Sequence, residues 1–141
     1  MSPHVVNARR QVHILVVDDE LDNRNVLEVM LKSEGYVIES AASGAEAMAL
    51  MAQRAPDLVL LDVLMPGMGG YELAYKIKSN SVTKNIPVIM VTALDDREAK
   101  MFGLSAGAED FLSKPIDRAE LCTRVRNLLR LKACADETIA H

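Results

Sequence analysis

Several features that would mark whole classes of protein are scarce in this chain. None of its apolar runs approaches the roughly 18 residues that a membrane-crossing helix needs. Positive charge is not in excess: 16 Lys and Arg stand against 20 Asp and Glu, for a formal net charge of −4. A general nucleic-acid binder carries the opposite balance. Arg9 and Arg10 lie near the start, but no apolar segment and cleavage site follow them, so the opening does not read as a secretory signal. Cysteine is limited to Cys122 and Cys134. Both fall on one predicted helix, too far apart for a local bridge and in no metal-binding pattern. They read as free thiols in a reducing, cytoplasmic compartment. Internal repeats and low-complexity tracts are absent.

What is present fits one globular domain with a real core. Half of the 141 residues are apolar and about a quarter charged. A domain of this size buries roughly two-thirds of its unfolded surface. Residues 1–11 read as a loose leader. Val12 to Val17 is a first strand, ending on Asp18-Asp19-Glu20. Asp22 and Asn23 offer N-caps to a helix with apolar positions Val26, Leu27, Met30 and Leu31, which Gly35 stops. Val37 to Ala42 is a second, weaker strand. Ser43 or Gly44 opens a helix to about Arg54. Leu58-Val59-Leu60-Leu61-Asp62 then runs with no polar alternation, as a strand buried on both faces does. A third helix begins near Gly69 or Gly70. After a polar loop from Ser79 to Ile86, Pro87 to Thr92 is the fourth strand. Asp95 and Asp96 begin a fourth helix, weakened by Gly103, Ser105 and Gly107. Asp110 to Ser113 is a short fifth strand before Lys114-Pro115. Asp117 caps the last helix, whose stripe is Leu121, Val125, Leu128 and Leu129.

Five strands alternating with five helices predict an α/β domain, a doubly wound parallel sheet with helices on both faces in a three-layer sandwich. This pattern leaves the strand order open. In such a sheet all the strand ends share one edge, where ligands bind. Asp18, Asp19, Asp62, Thr92 and Lys114 therefore converge. Taken singly, each has a plain structural explanation as a capping acid, a strand residue or a solvated charge. All five at one edge are a better match to phosphoryl transfer. Clustered carboxylates raise one another's pKa unless a cation sits among them. A hard divalent cation such as Mg²⁺ suits oxygen ligands. It keeps the acids ionised, so that one can act as nucleophile while a lysine and a hydroxyl stabilise the phosphoryl oxygens. His4, His13 and His141 lie away from this edge, which leaves a zinc site or a histidine-based triad without support.

These residues resemble the receiver domain of two-component response regulators. The resemblance is carried by Asp18-Asp19 after a Val-rich strand, Asp62-Val63-Leu64-Met65-Pro66-Gly67-Met68-Gly69-Gly70, Val91-Thr92-Ala93, and Gly107-Ala108-Glu109-Asp110-Phe111 leading to Lys114-Pro115. It runs over residues 12–132, leaving 133–141 as helix end or linker. It implies the flavodoxin-like (βα)5 fold with strand order 2-1-3-4-5, which receivers share with flavodoxin itself. It implies that Asp62 accepts a phosphoryl group from a sensor histidine kinase or histidine phosphotransfer protein. Asp18, Asp19, Asp62 and the backbone carbonyl of Leu64 would hold Mg²⁺. Thr92 and Lys114 would bind the phosphoryl oxygens, and the Lys114–Pro115 bond would be cis. Phe111 matches the switch aromatic that turns inward with Thr92, with core packing as its alternative. The domain would be no enzyme beyond its own aspartyl phosphorylation and dephosphorylation. Its output would pass through the face made by the fourth helix, fifth strand and fifth helix, with a phosphorylation-dependent homodimer as one form. Leu64 and Leu94, apolar where fast members carry polar side chains, imply slow self-hydrolysis.

Rival readings remain open at this stage. A pseudo-receiver would serve only as an unphosphorylated interaction module, against the intact acids, Thr92 and Lys114. An aspartyl-nucleophile phosphatase would want an Asp at position 64, and a flavin binder would not tolerate Asp18-Asp19-Glu20 where a phosphate loop belongs. The last helix bears Arg118, Arg124, Arg126, Arg130 and Lys132, but neighbouring acids make a solvated face the better reading than direct nucleic-acid contact. It resembles receivers whose last helix runs into a linker and output domain. The expectation is therefore a receiver from a longer protein, or a stand-alone one acting through a protein target.

Overall fold

The computed structural model describes residues 11–63, 69–93 and 105–140, with side chains to residue 134. Five strands alternate with helices in the order β1 (His13–Val17), α1 (Leu21–Lys32), β2 (Val37–Ala41), α2 (Gly44–Gln53), β3 (Leu58–Asp62), α3 (Gly70–Ser79), β4 (Val88–Thr92), β5 (Asp110–Ser113) and a C-terminal helix (Arg118–Ala140). All strand pairs are parallel, and the sheet runs β2-β1-β3-β4-β5. The expected doubly wound order is thus what the chain adopts. The fourth predicted helix, from Asp95, lies outside the described residues, as do Leu64 and Leu94.

Strand alternation divides the core. Ile14 and Val16, Leu58 and Leu60, and Ile89 and Val91 pack with Leu27 and Leu31 of α1 and Leu121 and Val125 of the C-terminal helix. Their neighbours Leu15 and Val17, Val59 and Leu61, and Val88 and Met90 pack on the other face with Ala47 and Met51 of α2 and Leu73, Ala74 and Ile77 of α3. Every residue of β3 and β4 is buried, which is why those runs lack polar alternation. The faces also separate the strand ends. By the period of two, Asp18 and Asp62 continue the α1 side, whereas Thr92 continues the side of Met90.

Local chemistry explains most boundaries. Ser43 caps α2, its hydroxyl accepting from the Glu46 N–H at 3.1 Å. Asp117 caps the C-terminal helix, accepting from the Glu120 N–H at 2.9 Å. Three strand ends shift by one residue from the sequence reading, β1 starting at His13, β2 ending at Ala41 and β4 starting at Val88, and one helix start moves further. Helix α1 starts at Leu21, with Asp22 inside its first turn and Glu20 at the cap without a side-chain bond. The cause lies upstream: the Asp18 carboxylate accepts the Glu20 N–H at 2.9 Å, turning the chain into the helix before Asp22. Gly70 begins α3 because nothing larger fits. A Cβ there would collide with the Asp62 carbonyl and lie 2.8 Å from the Val63 Cα. The Gly70 N–H donates to the Val63 carbonyl at 3.1 Å, so α3 starts pressed against the end of β3.

Candidate phosphoryl-acceptor site

Three strand ends bring the charged groups together. Asp62, the last residue of the central strand β3, is 6 % exposed, and Asp18, one residue past β1, is 1 % exposed. Lys114 follows β5 directly. Its Nζ lies 3.4 Å from Asp62 Oδ1 and 3.7 Å from Asp18 Oδ2. Its backbone N–H donates to the Thr92 carbonyl at 2.8 Å, which ties the end of β5 to the end of β4. The bond from Lys114 to Pro115 is cis, as the resemblance implies. Thr92 is 1 % exposed at the close of β4. Asp19 is exposed.

Placement at the sheet edge leaves the acids in conflict. Among the described residues one lysine is shared between the Asp18 and Asp62 carboxylates; the Asp18 carboxylate also accepts the Glu20 N–H, and its backbone carbonyl accepts from the Arg24 guanidinium at 2.7 Å. Burial, then the charge of Asp18, push the Asp62 carboxyl up to about 6, with Lys114 pulling the other way. Asp18, Asp19 and Asp62 can each present one oxygen within 4.8 Å of the others. That set of hard oxygen donors, crowded around one shared lysine, fits a divalent cation such as Mg²⁺. Leu64, whose carbonyl the resemblance adds to the set, is not among the described residues.

Phe111 is half-buried against the α2–α3 side of the core, opposite Met90 in the register of β5 on β4. It shares that sheet face with Thr92 by alternation, two positions along the strand from Ser113, the register partner of Thr92. Core packing is the part of its reading visible in the geometry.

A cavity of about 280 Å³ opens beside the acids, lined by Asp18, Asn23, Val26, Leu27, Lys114 and Ile116 among others. Sequence reasoning offered Asn23 as a helix cap and did not connect it, Val26 or Ile116 with the site. The signal was available in principle: Asn23 sits five residues after Asp18, within the first turn of the helix that Asp18 itself initiates. Val26, 50 % exposed, is the open part of this apolar rim on α1.

Known proteins share this arrangement. The family model for the response regulator receiver domain matches residues 14–126. Response regulator PleD of Caulobacter vibrioides is 48 % identical over 124 residues, covering 88 % of this chain and 27 % of PleD. The phosphate regulon transcriptional regulatory protein PhoB of Pseudomonas aeruginosa is 41 % identical over 117 residues, 83 % of this chain and 51 % of PhoB. The chain therefore spans about a quarter of one and half of the other. Among solved structures, a putative response regulator from Chloroflexus aurantiacus superimposes with a TM-score of 0.83 at 40 % identity, over 86 % of this chain and 99 % of that one. The signal receiver domain of a histidine kinase from Syntrophus aciditrophicus does so at 0.79 and 36 %, over 84 % and 90 %. With the parallel sheet in the order 2-1-3-4-5, the paired acids, and a lysine reaching both from the edge strand, this chain belongs to the response regulator receiver domain family.

Proposed function

We propose that Asp62 is the phosphoacceptor of a two-component phosphorelay. The carrying observation is the buried Asp62 carboxylate with Lys114 at 3.4 Å, at the strand edge shared with Asp18 and Thr92. Asp18, Asp19 and Asp62 would hold Mg²⁺, which supplies charge neutralisation for the acids and the incoming phosphoryl oxygens. A carboxylate oxygen of Asp62 attacks phosphorus, forming the acyl phosphate. The P–N bond of a phosphohistidine breaks, its electron pair stays on the imidazole nitrogen, and that nitrogen takes a proton. Lys114 then has a phosphoryl oxygen to pair with, and the Thr92 hydroxyl has one to donate to. These are contacts made only after phosphorylation, so they bias whichever arrangement of Thr92 and Phe111 makes them best.

The donor is a sensor histidine kinase or a histidine phosphotransfer protein. The half-exposed Val26 of α1 and Ile116, lining the cavity beside Asp18 and Lys114, supply apolar surface for its helix. Output passes to an attached domain or a protein target through the face that includes β5 and the C-terminal helix. We place the reaction in the cytoplasm, where the thiols of Cys122 and Cys134 stay reduced.

Intact mass after incubation with acetyl phosphate and Mg²⁺ tests the reading. The expected result is a gain of one phosphoryl group, absent with EDTA and absent in Asp62→Asn. No gain in the parent chain overturns it.

A further inference from the structure

Two consecutive carboxylates at the start of β5 are bound in opposite directions. Glu109 reaches toward α3: its Oε2 pairs with Lys78 Nζ at 2.6 Å, while its Oε1 accepts the Val88 N–H at 2.8 Å. Its own N–H donates to the Val88 carbonyl at 2.9 Å, so the first residue of β4 is held by both the backbone and the side chain of Glu109. Lys78 also donates to the carbonyls of Ile86 at 2.6 Å and Lys84 at 3.2 Å. Asp110 reaches the other way, toward the C-terminal helix. Both its oxygens accept from Arg124 Nη1, at 2.9 and 2.8 Å, and its Oδ1 also accepts the Phe111 N–H at 2.8 Å. Gly107 belongs to the same joint. It sits at φ +100, and a Cβ there would lie 2.8 Å from Lys78 Cγ.

The strand so held needs holding. β5 has four residues and pairs with β4 alone, at the sheet's edge. A short edge strand with a ladder on one side has little to fix its position along its neighbour. Yet the residue immediately after it, Lys114, must bring its ammonium to Asp62 on a strand two places away. The charge-assisted bonds at Glu109 and Asp110 are of the stronger kind, and they act on both layers of the sandwich at once.

We propose that Glu109 and Asp110, with Lys78 and Arg124, are positioning residues: they strap the start of β5 to both helix layers and thereby set where Lys114 stands relative to Asp62. This rests on the phosphoacceptor reading of Asp62. The straps touch no reacting atom.

The test compares parent, Glu109→Gln, Lys78→Met and Lys78→Arg, with Lys76→Met as control. Lys76 pairs with Glu72 on the exposed side of the same helix and has no bond to β5. Three quantities are read on each: the initial rate of Asp62 phosphorylation from acetyl phosphate, Mg²⁺ affinity, and amide hydrogen exchange across residues 110–114. Glu109→Gln and Lys78→Met are expected to lower the rate about fivefold, a coupling of the size seen between linked sites. Exchange across 110–114 should speed up in both. Mg²⁺ affinity, set by acids just after β1 and at the end of β3, should stay within about twofold. Lys78→Arg should recover most of the rate, and Lys76→Met should change nothing. A parent that accepts phosphoryl while both strap variants keep its rate overturns the positioning role alone. So does an equal fall in rate and Mg²⁺ affinity, which would mark general loosening. A parent that accepts no phosphoryl overturns the phosphoacceptor reading, and the role in that reaction falls with it. If Glu109→Gln does not fold, Lys78→Met decides on the same readouts.

Discussion

The two edges of this sheet treat acid groups in opposite ways. At the amino-terminal edge, carboxylates are satisfied. Asp57 accepts the His13 N–H at 2.8 Å, and Glu109 and Asp110 each combine a cation with a backbone donor. At the carboxyl-terminal edge Asp18 and Asp62 must share one lysine at 3.7 and 3.4 Å, with Asp19 alongside, although Asp18 also has a backbone donor in the Glu20 N–H. The first edge is built to hold, the second to wait for charge from outside. Conflict among groups at one end of an otherwise consistent fold is the mark of a site.

The tightness of the carboxyl-terminal edge gives the largest expected effect. Gly70→Ala drives a methyl into the Asp62 carbonyl and the Val63 Cα, backbone that cannot step aside cheaply. The expected loss is about 3 kcal/mol, at the upper end of overpacking costs. Urea unfolding of the two proteins measures it. A loss below about 1 kcal/mol would mean that α3 can lift off β3, and that this edge is looser than its contacts imply.

Neutralising an acid should stabilise one edge and weaken the other. The Asp62 carboxyl is raised to about 6 in the folded chain from 3.8. Its favourable contribution is therefore complete below its unfolded pKa and disappears as pH rises through about 6. Without Mg²⁺, Asp62→Asn should be more stable than the parent at pH 7.5, on the order of 2 kcal/mol. The gap should shrink through pH 6 and close near pH 4. Adding Mg²⁺ should stabilise the parent more than the variant and narrow the gap at pH 7.5. Denaturant melts across this range, with and without the ion, carry the comparison; an Asn variant no more stable than the parent at pH 7.5 would remove the conflict on which it rests.

Much of this arrangement was legible in the amino-acid order, for a physical reason. Buried parallel strands are short apolar runs, and the residue that ends each run stands at the edge where the chain leaves the core. Asp18, Asp62, Thr92 and Lys114 could therefore be assigned to one edge before any contact was known. The straps at the other edge could not. Lys78 and Glu109 are 31 residues apart, Arg124 and Asp110 are 14 apart, and each pair meets only after helix and strand have packed. Read alone, Glu109-Asp110 is an acidic pair in a loop before a strand. The start of α1 was missed for a related reason. Asp18 serves two purposes, and its bond to the Glu20 N–H, which turns the chain early, is invisible to a search for a cap next to the helix. Phe111 stayed ambiguous because core packing and a switching ring ask for the same side chain in the same strand.

Asp57→Ala is the counterpart at the amino-terminal edge and the smallest of these effects. Asp57 and His13 exchange two bonds, the carboxylate accepting the His13 N–H at 2.8 Å and the Asp57 N–H donating to the His13 carbonyl at 2.7 Å. The substitution removes the first and keeps the second. The partly buried His13 N–H, at the first residue of β1, loses its acceptor, which costs about 1 kcal/mol. Its sign is opposite to that of Asp62→Asn at pH 7.5, although both changes delete one negative charge from a chain of net charge −4. Long-range charge relief alone would stabilise both variants. Only a difference in local partners splits them, so unfolding measured at low and at high salt separates the two causes. Screening weakens the general term and leaves the hydrogen bond in place. An Asp57→Ala variant as stable as the parent at high salt would show that the acids of the two edges are held alike.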